Sequence, residues 1–228
     1  MKTWIFTGAA TALALALPMA AQAGTSEGPW QIKLLGTAVL PDGGISKVEA
    51  SKVTLPAGTD TSVSDNFVPT VAIEYFLAPG VSVETICCTT AHHVDGAGAI
   101  AGVDHLIDDV LIVPATLTLK YHLTTLGAIK PYVGAGPSYF LVLDSKVGSG
   151  GTAALGAASA EVKSKIGFAL QAGVDIPIGS RGFGLSFDAK RYFVKPLASF
   201  SNAAGTEILR TRHDLDPWVL SAGLSYRF

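Results

Sequence analysis

The chain has 228 residues, of which 49% are apolar and only 15% charged, with 25 glycines and a formal net charge of −2. A soluble domain carries about 25% charged residues, and the mean hydropathy here is +0.42, so the chain is short of solvating groups. That apolar content excludes intrinsic disorder, the near-neutral charge leaves no footprint for nucleic acid, and beyond the N-terminal segment no run of roughly 18 apolar residues offers a spanning helix.

Residues 1–23 read as a cleaved signal peptide. Lys2 is the lone basic residue, Trp4 to Leu17 is apolar, Pro18 breaks the run, and Ala21-Gln22-Ala23 supplies the cleavage pattern before Gly24. The chain is therefore expected to be exported, with residues 24–228 as its single mature domain.

From there the apolar residues recur with a period of two, the signature of half-buried strands. Trp30, Ile32 and Leu34 alternate with Gln31 and Lys33; Val71, Ile73 and Tyr75 alternate with Thr70, Ala72 and Glu74. Ala78-Pro79-Gly80 is a tight turn, after which Val81 to Thr90 resumes with Glu84 on the polar side. The adjacent Cys87 and Cys88 fall here and point to opposite faces, so no disulfide or C-x-x-C chemistry is expected of them. Leu117, Leu119, Tyr121 and Leu123 oppose Thr116, Thr118, Lys120 and His122. The pattern repeats over Lys130 to Asp144, Ile166 to Ile176, Phe183 to Lys190 and Trp218 to Phe228, giving eight strands.

Connection lengths set the architecture. Residues 78–80, about 124–129 and 179–182 are short; residues about 41–65, 91–109, 145–162 and 195–213 are long and rich in small and polar residues. Short turns at one end and long loops at the other fit an all-β, eight-stranded antiparallel transmembrane β-barrel, with short periplasmic turns and long extracellular loops. Trp30, Tyr75, Tyr121, Tyr132, Trp218 and Tyr226 stand near strand ends, where an interfacial girdle belongs. A soluble lipocalin-type barrel shares the same period, with its apolar face turned inward. The Gly, Ser and Thr face favours a narrow lumen over a wet exterior. Leu224, Tyr226 and Phe228 alternate up to the terminus, an ending that marks a client of the barrel-assembly machinery. Arg191 falls on the lipid-facing parity, near the outer rim, within reach of lipopolysaccharide phosphates.

Four stretches carry a resemblance. DPWVLSAGLSYRF at 216–228, VPATLTLKYHL at 113–123, KPYVGAGPSYF at 130–140 and VPTVAIEYFLAPGVSVETICCTT at 68–90 resemble segments of the outer membrane protein W family. The likeness runs over most of the mature chain and is weakest at 41–65 and 145–162. It implies residence in the outer membrane of a Gram-negative bacterium, among its lipid and lipopolysaccharide. It also implies passive passage of small hydrophobic molecules, entering from outside and leaving sideways through a gap in the wall. Members also serve as phage or colicin receptors, so the alternative is a non-conducting structural or surface-interaction barrel.

A lateral opening needs missing ladder bonds, which proline provides. Pro114 stands where the family carries a proline at its gap, and it equally fits a plain strand top. Pro137 breaks the alternation of its strand and is a second candidate; Pro69 reads as a strand start. On the inward parity Phe76, Ile86, Phe140 and Val142 are candidate lumen lining. Glu74, Lys120, Asp188 and Lys190 share that face as lumen charges, expected to pair and close the floor.

No catalytic motif, cofactor site or metal site is expected. His92, His93 and Asp95, and Ser201 with His213 and Asp214, lack any recognisable pattern. Asp104, His105, Asp108 and Asp109 would need a tight loop to converge on a cation. The glycines of GSGG at 148–151 read as a flexible linker in a loop.

Overall fold

A computed structural model of the protein describes residues 28–123, 129–179 and 181–228. The expected signal peptide and most of the connection at 124–129 lie outside the described residues. In chain order the strands are β1 (Trp30–Leu40), β2 (Gly44–Ser51), β3 (Thr59–Val63), β4 (Asn66–Ala78), β5 (Val81–Cys87), β6 (Thr90–Gly98), β7 (Ile107–His122) and β8 (Lys130–Val147). A short helix, α1 (Ser149–Leu155), precedes β9 (Ser159–Val162), β10 (Lys165–Pro177), β11 (Phe183–Phe193), β12 (Leu197–Ser201), β13 (Glu207–Asp214) and β14 (Trp218–Arg227).

Eight strands close on themselves in the order β7-β5-β4-β1-β14-β11-β10-β8, with β8 pairing back onto β7. Every pair is antiparallel. The ends meet where the Trp30 N–H donates to the Phe228 carbonyl (3.1 Å) and the Phe228 N–H to the Trp30 carbonyl (2.9 Å). Closure leaves no unpaired edge in the wall, which a strand crossing hydrocarbon requires.

The two faces of the wall settle the choice between a membrane and a soluble barrel. Leu34, Phe67, Val133, Ile166 and Leu224 point outward and are 60–72% exposed. Inward-facing Lys33, Glu74, Ser82, Glu84, Thr118 and Lys120 are at most 2% exposed. A continuous apolar exterior around a polar interior is stable only in lipid.

The expected long loops are largely ordered. β2, β9, β12 and β13 form a second, four-stranded sheet in the order β2-β13-β12-β9, and β3 pairs with β6, which prolongs β5 past a break at Cys88–Thr89. Together they cap the extracellular end, and Val194, Ala198, Phe200, Leu209 and Leu215 of the cap share one apolar cluster with Ile112 and Phe140 of the barrel. These segments are rich in small residues and carry weaker alternation, so their pairing depends on the barrel beneath them.

Two expectations are corrected. The GSGG run is not a linker: Ser149 to Gly151 form the first turn of α1, and the helix ends on Gly156 in the left-handed conformation (φ 64°). Tyr132 is not a girdle residue. It lies on the inward parity, is 2% exposed and reaches the lumen charges, because Val133 takes the lipid side. Arg191 does sit at the outer rim, 2.8 Å from Asp42 and with its guanidinium 5.4 Å from the Trp218 ring centre.

Candidate functional site

The lumen is divided into two compartments of opposite character. In the periplasmic half, Glu74 of β4 lies directly across the ladder from Glu84 of β5. Like charges in that position repel, and two cations from other strands offset them. Lys120 of β7 lies 2.8 Å from each carboxylate, and Lys33 of β1 lies 3.0 Å from Glu74 and 3.2 Å from Glu84. Lys190 of β11 joins Glu84 (3.0 Å) to Asp188 (2.6 Å), and Lys33 also reaches Asp175 of β10 (3.3 Å).

Neutral groups complete the network. Gln171 donates to Glu84 (2.8 Å) and Asp188 (2.6 Å), and accepts from the Thr118 hydroxyl (2.8 Å). The Tyr132 hydroxyl donates to Asp188 (2.8 Å), while its ring lies 3.7 Å beneath the Lys120 ammonium. His122 Nε2 lies 2.8 Å from Glu74. All these groups are buried. The four charges expected from sequence are thus brought together, and Lys33, Glu84 and Asp175 belong with them. Lumen parity alone marked all three, but nothing in one strand's sequence tells which cross-barrel neighbours it will meet.

Above this plug the lumen turns apolar. Tyr192 and Phe140 cross it edge to face, with ring centres 5.2 Å apart, and Thr116 Oγ1 lies 3.1 Å from the Tyr192 hydroxyl. Two small voids remain over them, of about 40 and 20 Å³. The smaller is lined by Ile86, Cys88, Pro114 and Tyr192, the larger by Val94, Val142, Leu197 and His213, and both by His92, Ile112, Phe140 and Leu215. Of the candidate lining residues, Ile86 thus borders the smaller void, Val142 the larger, and Phe140 both. Phe76 borders neither. It lies at the other end, under the Arg227 guanidinium (3.6 Å), in a periplasmic vestibule of about 510 Å³.

The wall is interrupted on both sides of β7. Pairing of β5 with β7 runs to Ile86–Thr116 and resumes, in the same register, at Thr90–Ile112 of β6. Cys87, Cys88 and Thr89 thereby face Ala115, Pro114 and Val113 over three successive unpaired positions. On the other side, pairing of β7 with β8 stops at Thr116–Ser138 and resumes at Leu119–Ala135, leaving Leu117 and Thr118 opposite Pro137 and Gly136. A side chain at Gly136 would meet the Leu117 carbonyl, so only glycine allows this approach. The β1–β4, β1–β14, β11–β14, β10–β11 and β8–β10 seams run unbroken.

The polar ingredients of the cap pair locally. His213 is held by the Thr61 (3.1 Å) and Thr211 (2.7 Å) hydroxyls, and Asp214 pairs with Lys195 (3.0 Å), rather than either joining Ser201. His92 bonds the Thr90 hydroxyl and the Ser64 carbonyl. His105 meets Asp108 (2.7 Å), which holds its imidazole above the ordinary histidine pKa, while Asp109 pairs with Lys146 (2.9 Å). Among the described residues, no three such side chains converge on a metal-sized point.

An apolar-walled, charge-plugged barrel of eight strands with a folded extracellular cap defines an integral protein of the outer membrane. The OmpW family model matches residues 26–228, and the chain belongs to that family. It is 33% identical over 225 residues to the uncharacterized outer-membrane protein y4mB of Sinorhizobium fredii, covering 97% of this chain and 90% of the relative. It is 28% identical to the dibenzothiophene metabolism operon protein PahQ of Pseudomonas aeruginosa over 203 residues, covering 89% and 90% of the two chains. The solid-state NMR structure of the outer membrane protein AlkL in lipid bilayers, from a relative found in Ectopseudomonas oleovorans, superposes with a TM-score of 0.70 at 25% identity, covering 92% of this chain and 94% of that one.

Proposed function

We propose that the protein gives small hydrophobic molecules passive passage across the outer leaflet, releasing them sideways into the membrane. The observation that carries this reading is the division of the lumen. A buried charge network stands across the axial path that water and ions would take, and the compartment above it is walled by aliphatic and aromatic side chains. Such a compartment suits an apolar solute and offers nothing to a hydrated one. The operon in which the relative PahQ is named concerns dibenzothiophene, an apolar compound, and fits this reading. Lipid and lipopolysaccharide surround the wall, the C-terminal Leu224, Tyr226 and Phe228 address the chain to the assembly machinery, and the ladder breaks at Pro114 and Pro137 supply two places for exit.

The interior voids of 40 and 20 Å³ are smaller than the roughly 150 Å³ that holds one benzene. Passage therefore requires the cap to part from the barrel. Liposomes bearing the protein are expected to take up a small apolar solute faster than empty ones, and Ile112→Phe, which fills the compartment, is expected to slow them. Equal rates with and without protein would refute the conduit. They would favour the second reading, a closed surface-interaction barrel, which the small voids also suit and in which deleting the cap strands would abolish phage or cell contact.

A further inference from the structure

We propose that the extracellular cap opens between β2 and β3, and that a latch around His213 holds this seam shut until acid releases it. The use of the opening, entry of a solute, rests on the conduit reading above; the latch does not.

The cap repeats the strand order of the barrel beneath it. β2 prolongs β1, β6 prolongs β5 and β12 prolongs β11, while β3, β9 and β13 lead into β4, β10 and β14. With the upper parts of β7 and β8 they make a second storey of eight strands. Backbone ladders join β3–β6, β6–β7, β7–β8, β9–β12, β12–β13 and β13–β2. At the other two junctions, β2 beside β3 and β8 beside β9, the strands lie side by side with no ladder among the described residues.

Side chains close both junctions, with different chemistry. Between β8 and β9 the ties are neutral hydroxyls. Ser145 accepts from the Val162 N–H (3.2 Å) and donates to the Ala160 carbonyl (3.3 Å), and Ser164 accepts from the Val142 N–H (3.0 Å). Between β2 and β3 the ties include titratable groups. The Asp60 carboxylate accepts from the Ile45 N–H (2.7 Å), and the Thr61 hydroxyl donates to the Gly43 carbonyl (2.8 Å). His213 Nδ1 lies 3.1 Å from that hydroxyl and 3.3 Å from that carbonyl. Gly43 has a φ of 75°, and a Cβ there would fall 2.6 Å from the Val63 nitrogen, so the strands meet backbone to backbone.

This latch fits a neutral imidazole. Nδ1 faces a carbonyl and carries the proton, and Nε2 accepts from the Thr211 hydroxyl (2.7 Å). Inward, His213 borders the larger void beside Val63, Val94, Leu197 and Leu215, which offer a charged ring nothing to bond. An imidazolium there needs water, and parting β2 from β3 is the way to admit it. The charged groups around the ring do not replace that water. Asp60 is bonded to backbone N–H groups, Asp214 is paired with Lys195, and Lys163 on the same void repels a cation. His92 faces the void from β6, held by Thr90 and the Ser64 carbonyl, but its strand is laddered to β3 and β7 on both sides.

The test measures each seam directly. Spin labels on Lys47→Cys and Ser62→Cys span β2 and β3, and labels on Lys146→Cys and Glu161→Cys span β8 and β9, each in a Cys87→Ser, Cys88→Ser background. Distances are read in liposomes at about pH 7.5 and about pH 5, on either side of the ordinary histidine value near 6.5. The β2–β3 distance should lengthen reversibly in acid and the β8–β9 distance should hold. His213→Gln should keep β2–β3 short at both values, and Gly43→Ala, which wedges the seam, should lengthen it at neutral pH. An unchanged β2–β3 distance, equal lengthening at both seams, or the same lengthening in His213→Gln would overturn the latch. Uptake of naphthalene should be faster in acid. A Gly44→Cys/Asp60→Cys disulfide should remove most of it until reduced, since a Cβ at Gly44 lies 4.0 Å from the Asp60 carboxyl carbon, within reach of such a bond. Uptake indifferent to that staple would overturn the seam as the entry. Lengthening in acid with uptake no faster than that of empty liposomes would overturn the conduit reading and uphold the latch.

Discussion

Replacing Lys120 by methionine tests whether the lower lumen is a dry plug or a wet, polar pore. Methionine keeps most of the stem's volume over the Tyr132 ring and removes the ammonium. Lys120 lies 2.8 Å from both Glu74 and Glu84. At an effective dielectric of about 20, each contact carries roughly 6 kcal/mol of attraction before desolvation. The two carboxylates remain buried and directly opposed, with Lys33 the one ammonium still bonded to both. Taking one partner from a buried ion cluster costs about 3–5 kcal/mol, because the other partner's desolvation is no longer offset. Urea unfolding in lipid, followed by tryptophan fluorescence and electrophoretic migration, should show a loss of that size. Adding Glu74→Gln should recover part of it, since the uncompensated charge leaves as well. A loss below about 1 kcal/mol, the worth of a solvated surface pair, would refute the reasoning and place water among these groups.

Two further predictions concern the cap and the closing seam. Burial holds the His213 pKa below its ordinary value, against weaker upward pulls from the Gly43 carbonyl, Asp60 and Asp214. The unfolded segment, titrating near 6.5, thus binds the proton first, and the cap's stability is full above about pH 6.5 and falls as the pH drops below it. Amide exchange of β2 and β13 should accelerate on acidification, and His213→Gln should flatten that dependence; a pH-independent exchange rate would contradict it. Deleting Phe228 removes both hydrogen bonds that join it to Trp30, worth about 0.5–1.5 kcal/mol each, together with the terminal aromatic of the proposed assembly signal. Refolded protein should be only modestly less stable, whereas the amount of folded barrel in the outer membrane of producing cells should fall sharply. Unchanged membrane levels would show that Phe228 carries no such signal.

The barrel was legible because lipid enforces a strict rule on each strand. Leu117, Leu119, Tyr121 and Leu123 against Thr116, Thr118, Lys120 and His122 can be read without knowing any neighbour, and the structure keeps every one of them on its expected side. Tyr132 shows where proximity to a strand end misleads: its parity, not its aromatic ring, decided its place. The cap was illegible for a different reason. β2, β12 and β13 pair over registers interrupted by bulges at Phe200/Ser201, Arg210/Thr211 and Arg212/His213. A bulge shifts the alternation within one strand, so the period-two signal is lost even though the segment is extended. Lys33, Glu84 and Asp175 were visible as inward polar residues, but their joint role follows from closure of the barrel, which brings β1, β5 and β10 around one point.

The same closure bears on how any apolar solute could move. An axial path runs between Lys33, Lys120 and Lys190 and their carboxylates. Opening it separates ion pairs already shielded from water, at a cost of several kcal/mol for each charge left alone, and exposes an apolar molecule to those charges. A path through most of the wall would break ladder hydrogen bonds in hydrocarbon, where each unpaired group costs several kcal/mol. Beside β7 the pairs of Leu117 with Pro137 and Thr118 with Gly136 on one side, and of Ala115, Pro114 and Val113 with Cys87, Cys88 and Thr89 on the other, are already absent. Movement there sacrifices the least bonding available in the barrel, and it leads from one apolar medium into another. On the proposed conduit reading, the charge plug and the interrupted strand are two halves of one arrangement: the first closes the way that water would take, and the second is where a lipid-soluble molecule would pass with the least bonding lost.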